Sequence, residues 1–148
     1  MRCACLASTF LASAALGLGA FSGLARASIQ DQRKLVLGAW ECEFRKGGEY
    51  LKGQEIDSVF RDDGTFMLRI RKPKSEQLAI VPWQINHEGL LILSKPLLME
   101  DVNLMTGSIR KSSGDESPQM LKIGELEKSK FVFGDGEDGF DCVRFLPK

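Results

Sequence analysis

The sequence lacks an excess of charge of either sign: 20 lysines and arginines stand against 20 aspartates and glutamates. A protein devoted to nucleic acid would concentrate basic charge, so that class is set aside. Histidine is nearly absent, with His87 the single example. Four cysteines are present and none forms a C-x-x-C pair. A zinc site would therefore need several carboxylates to complete its ligands, and a redox-active thiol pair has no motif to support it. Alanine, the best helix former, is scarce beyond the N-terminus: eight of ten lie within the first 27 residues, leaving Ala39 and Ala79. Glycine, phenylalanine, valine, isoleucine and leucine, in short runs cut by polar turns, dominate the remainder, which is a β-rich signature.

Residues 1–27 read as a secretory signal peptide. Arg2 supplies a positive start, Leu6 to Leu24 is apolar or small, and Ala25-Arg26-Ala27 is an A-x-A cleavage site before Ser28. The stretch is too rich in Gly, Ala and Ser for a transmembrane anchor, so stable membrane insertion is not expected. The expected product, residues 28–148, is one domain in a periplasmic or extracellular compartment. Two cysteines remain in it, Cys42 and Cys142, and an oxidising compartment allows them one intramolecular bridge. Closing a loop of that length contributes about 4 to 5 kcal/mol in the chain-entropy account.

Trp40, Cys42 and Phe44 alternate with Glu41, Glu43 and Arg45, which is the pattern of a half-buried strand. Glu55 to Arg61 reads as a second strand and Asp62-Asp63-Gly64-Thr65 as a hairpin turn. Phe66, Leu68 and Ile70 alternate with Met67, Arg69 and Arg71 in a third strand. Val81, Trp83 and Ile85 precede a turn at Asn86-His87-Glu88-Gly89, and Leu90 to Leu93 follows as a strand. Leu97 to Lys111 fits either period and is read as strand. Gln119 to Leu126, Lys130 to Phe133 and Phe140 to Leu146 complete the chain. Ser28 to Lys34 is a helical or irregular lead-in. Eight or nine strands joined by short turns predict an all-β, antiparallel up-and-down barrel of about eight strands.

Leu37-Gly38-x-Trp40, Phe60-x-x-Asp63-Gly64-Thr65-Phe66, Trp83-x-Ile85 before the Asn86 to Gly89 turn, and Leu91-x-Leu93 occur in that order. Together they resemble the bacterial lipocalin-like domain over nearly all of Leu35 to Phe145. The resemblance implies a small calycin-type barrel in which Trp40 plugs one end. Fold likeness alone does not assign function.

The candidate ligand-binding residues are the aromatics on inward positions, Trp40, Phe44, Phe66 and Trp83, with Phe60 and Phe145 as additions. They could line a pocket for a small apolar ligand, or they could fill the barrel. His87 is read as an exposed turn residue, with no nucleophile placed beside it by any motif, so no catalytic residue, metal or cofactor is assigned. Asp135-Gly136-Glu137-Asp138-Gly139-Phe140-Asp141 misses the calcium-loop spacing and reads as an acidic hairpin loop. Arg69, Arg71, Lys72 and Lys74 read as a solvated face protecting a sheet edge. The expectation is an exported, non-enzymatic binding module whose partner is a small apolar ligand. A protein-inhibitor or protein-interaction module acting through its loops on an exported protein is the alternative.

Overall fold

The alternation of Trp40, Cys42 and Phe44 becomes the first stave of a barrel in the computed structural model, which describes residues 28–113 and 117–145. The expected leader at 1–27 and the end of the last expected strand at Leu146 lie outside the described residues. A short helix, α1 (Ile29–Val36), leads in; the Ser28 side chain accepts from the Asp31 amide at its N-terminus. The strands follow in chain order as β1 (Gly38–Lys46), β2 (Glu49–Tyr50), β3 (Glu55–Phe60), β4 (Thr65–Lys72), β5 (Ser75–Ile85) and β6 (Leu91–Leu93). Then come β7 (Leu98–Asn103), β8 (Ile109–Lys111), β9 (Gln119–Leu126), β10 (Lys130–Asp135) and β11 (Asp138–Arg144).

Each of β1, β3, β4, β5, β6, β9, β10 and β11 pairs antiparallel with the next in that order, and β11 returns to β1. The result is the expected all-β, closed eight-stranded antiparallel barrel, with one short helix and three extra strands. The hairpin between β3 and β4 shows why it closes tightly. Gly64 takes φ of 84°, a left-handed conformation open to glycine, while Asp63 accepts from the Thr65 amide and hydroxyl at 2.9 and 2.6 Å. Those bonds hold the Asp63 carboxyl below its usual pKa.

Three expectations are corrected. Residues 97–111 are strand, as expected, but form a hairpin, β7 and β8, that adds to β5 rather than serving as a stave. The reason is the length of β5, 11 residues, against only three in β6. Pairing of β5 with β6 uses Trp83 to Ile85, leaving Ser75 to Ile80 free to pair with β7. The acidic segment is strand almost to its tip, because Gly134 and Gly139 pair and the ladder continues to Asp135 and Asp138. Finally, Arg69 and Arg71 are not at a sheet edge. They belong to β4, which is paired on both sides, and both guanidinium groups reach the Asp57 carboxylate, at 2.8 and 2.9 Å.

Cys42 and Cys142 face one another across β1 and β11 and are disulfide-bonded. Their bond joins the first and last staves, so it holds the seam by which the chain closes on itself. Reduction is expected to lower the melting temperature by roughly 10 °C or more, from the loop-closure contribution and the melting entropy of a domain this size. A melting curve unchanged after verified reduction would show that the bond does not hold the seam.

Candidate functional site

The two ends of the barrel differ. At one end Trp40 is 1% exposed, and its indole Nε1 donates to the Val36 carbonyl at 2.8 Å, tying the end of α1 to the barrel. The Arg144 guanidinium lies over the Trp40 ring at 4.1 Å from its centroid. Its nitrogens donate to the carbonyls of Leu35, Leu37 and Lys128 at 2.6, 2.8 and 2.5 Å. One side chain thereby ties the helix terminus, the first strand and the turn before β10. Gly38 is needed there: it adopts φ of 120°, and a Cβ on it would sit 2.6 Å from an Arg144 nitrogen. A second cation–aromatic pair flanks the first, with Arg33 over Trp83 at 4.8 Å and the Trp83 indole donating to the Arg61 carbonyl at 3.1 Å.

Beneath this seal aromatic rings pack against one another. Phe60 stacks on Phe66 with centroids 4.3 Å apart and meets Trp83, Phe131 and Phe133 edge-on. A row of aromatics continues from Phe131 through Phe133 and Phe140 to Phe44, along the wall made by β1, β10 and β11. Aromatic pairs in these geometries add to what their buried area contributes, so this half is the rigid part of the core.

The opposite end is hollow on one side. A cavity of about 250 Å³ opens between Leu68 and Phe66 of β4, Ala79 and Val81 of β5, Leu93, Met99, Leu121 and Phe140. Its cause is the three-residue β6: beyond Leu93 the wall passes to Ser94 and Pro96, and to Met99 on the diverging β7. A smaller annexe of about 130 Å³ shares Leu68, Ala79 and Met99 and reaches Ile70 and Gln77. Polar atoms at the mouth come from Ser94, Ser117 and Gln119.

A larger concavity, about 510 Å³, lies on the outside of the barrel, over Glu41, Glu43, Glu55, Asp57, Arg71 and Asp141. Part of its charge is paired locally, while Glu41 and Glu43 enter no ion pair among the described residues. Arg71 pairs with Asp57 and Glu55, Arg45 pairs with Asp141 at 3.1 Å, and the Tyr50 hydroxyl donates to Asp141. The Asp141 carboxylate in turn holds the Tyr50 hydroxyl above its ordinary pKa. An open polar saddle of this kind gives a small apolar molecule little shelter, so the smaller, apolar internal cavity is the candidate site.

The sequence-derived residues distribute as follows. Phe66 lines the cavity, Phe44 packs on its wall through Phe140, and Trp40 and Trp83 lie in the sealed half. Phe60 is central to the core, whereas Phe145 is 48% exposed: Phe140, Cys142 and Arg144 hold one parity of β11, and Phe145 has the other. His87 stands exposed in the turn after β5. Among the described residues no group of three or more His, Cys, Asp or Glu side chains is arranged to hold a metal ion. Leu68 and Ala79 continue the alternation of Phe66 and Val81 and could have been read from it; Met99 and Arg144 depend on which strands meet. Comparison of the chain with protein-family models, with curated proteins and with solved structures found no match. The fold and site define the class as an eight-stranded antiparallel barrel, sealed by a helix at one end and hollow at the other.

Replacing Arg144 with Leu removes three charge-assisted bonds and the stacking on Trp40 together. The expected cost is about 2 to 4 kcal/mol in urea unfolding. Arg144→Lys should recover little of it, because an ammonium cannot span three carbonyls and a ring face. Loss of less than half a kcal/mol in Arg144→Leu would show that the clasp does not hold the end closed.

Proposed function

We propose that this protein is an exported, non-enzymatic binding module of lipocalin-like type that holds a small apolar molecule in the open end of its barrel. The carrying observation is the internal cavity of about 250 Å³ lined by Leu68, Ala79, Val81, Leu93, Met99 and Phe140. Its volume lies just under the roughly 300 to 1,000 Å³ usual for small-molecule sites. The ligand class is accordingly small: a compact ring system or a short acyl chain, with any polar head directed to Ser94 and Gln119 at the mouth. Sealing of the far end supports the same reading, since a barrel open at both ends would admit water along its axis. The order of Gly38-x-Trp40, Asp63-Gly64-Thr65 and Trp83-x-Ile85 supports the lipocalin-like assignment. The Cys42–Cys142 bond is in keeping with an oxidising compartment.

The test is a fluorescence titration with 1-aminoanthracene, a compact apolar probe that brightens out of water. Saturable binding is expected, with affinity reduced about tenfold or more in Ala79→Leu, whose added carbons would occupy the cavity while leaving the melting temperature unchanged or raised. Absence of saturable binding, or equal binding by a folded Ala79→Leu variant, would overturn the proposal.

A further inference from the structure

We infer that the tip of the β7–β8 hairpin, with the neighbouring lysines, docks this protein onto an anionic phospholipid surface. The hairpin leaves the barrel wall beside the cavity, and its turn presents Leu104 and Met105, which are 53% and 74% exposed. No described residue covers this adjacent apolar pair, and Ile109 of β8, 60% exposed, extends it along the hairpin. Their setting explains this exposure. The Leu104 amide donates to the Lys74 carbonyl at 3.0 Å, and Leu104 shares a surface hollow with Gly53, Lys72 and Pro73. Lys52 adjoins that hollow in sequence. Lys52, Lys72 and Lys74 are exposed, and none of the ion pairs among the described residues involves them. Of the nearby carboxylates, Glu55 is taken by Arg71 and Glu100 by Lys111, while Glu76 and Asp101 enter no ion pair among the described residues and lie back along β5 and β7 from the tip.

Unpaired ammonium groups around a protruding apolar tip complement a bilayer in both of its properties. The lysines match anionic headgroups, and the tip matches the boundary of the acyl region. A protein partner with an apolar pocket would satisfy Leu104 and Met105 but leaves the neighbouring Lys72 and Lys74 unexplained. The turn is held by its own bonds: the Asn103 side chain accepts from the Met105 and Thr106 amides at 2.9 and 3.2 Å. Docking at this tip does not require the cavity to hold a ligand, so each can fail without the other.

The experiment is co-sedimentation of the exported product, residues 28–148, with vesicles of phosphatidylcholine alone and of phosphatidylcholine mixed with phosphatidylglycerol. Binding to the mixed vesicles is expected to exceed binding to the neutral ones by about tenfold or more and to fall with added salt. Lys72→Glu with Lys74→Glu should weaken binding to mixed vesicles by about tenfold or more, since each surface cation is worth about fivefold. Leu104→Ser with Met105→Ser should weaken it too, and both variants should melt as the parent does, because the altered side chains are exposed. Equal binding to both vesicle types, binding to neither, or retention of full binding by both folded variants would overturn the inference. Equal binding to both would leave apolar insertion without headgroup recognition, and binding to neither would leave the tip as a surface for a protein.

Discussion

The stacking of Arg144 on Trp40 is the contact on which the rest of this molecule depends. A barrel has no edges around its circumference, but its ends remain open, and each end exposes backbone groups and the core. Here one guanidinium covers the indole face and satisfies the carbonyls of Leu35 and Leu37 at the end of α1, together with that of Lys128. The planar fork of arginine suits this because its donors diverge in one plane while its face stays free to stack. Gly38 yields the space that the fork needs. Once the helix is anchored, Val36 is fully buried and Arg33 reaches Trp83, so the seal spreads across the end of the barrel.

Sealing one end concentrates the asymmetry at the other. The disulfide joins β1 to β11, and the aromatic row from Phe131 to Phe44 fills that wall. On the facing wall, β5 is shared between two partners along its length, and the short β6 closes the barrel through only three paired residues. The hollow beside Leu68, Ala79 and Met99 follows from that arrangement. The same branching creates the β7–β8 hairpin, so the cavity and the protruding tip have one structural origin.

Much of this was legible in the sequence, and the parts that were not share a cause. Alternation placed Trp40, Cys42 and Phe44 on one face of β1 and Phe66, Leu68 and Ile70 on one face of β4, because a strand's faces are fixed by its own residues. The Asp63-Gly64 turn was equally local. What periodicity cannot express is which strands meet. Val102 and Met99 read as strand in the sequence, but nothing in their pattern says that they pair with the first half of β5. Arg144 looks like any cation near a C-terminus until β11 is set beside β1 and the helix end. Trp40, Phe66 and Trp83 are inward as their alternation implied, but of these only Phe66 reaches the hollow, which Phe140 and smaller side chains complete.

Aromatic rings occupy the sealed half, and the hollow lies against Leu68, Ala79 and Met99. Methyl NMR spectra of the protein, recorded during titration with 1-aminoanthracene, test this placement directly. Shifts are expected to concentrate on the methyl groups of Leu68, Ala79, Leu93 and Met99, with the Trp40 indole and Val36 methyl signals unmoved. Shifts centred on Trp40 and Val36 would contradict this placement, since they would put the accommodating space at the end that Arg144 closes.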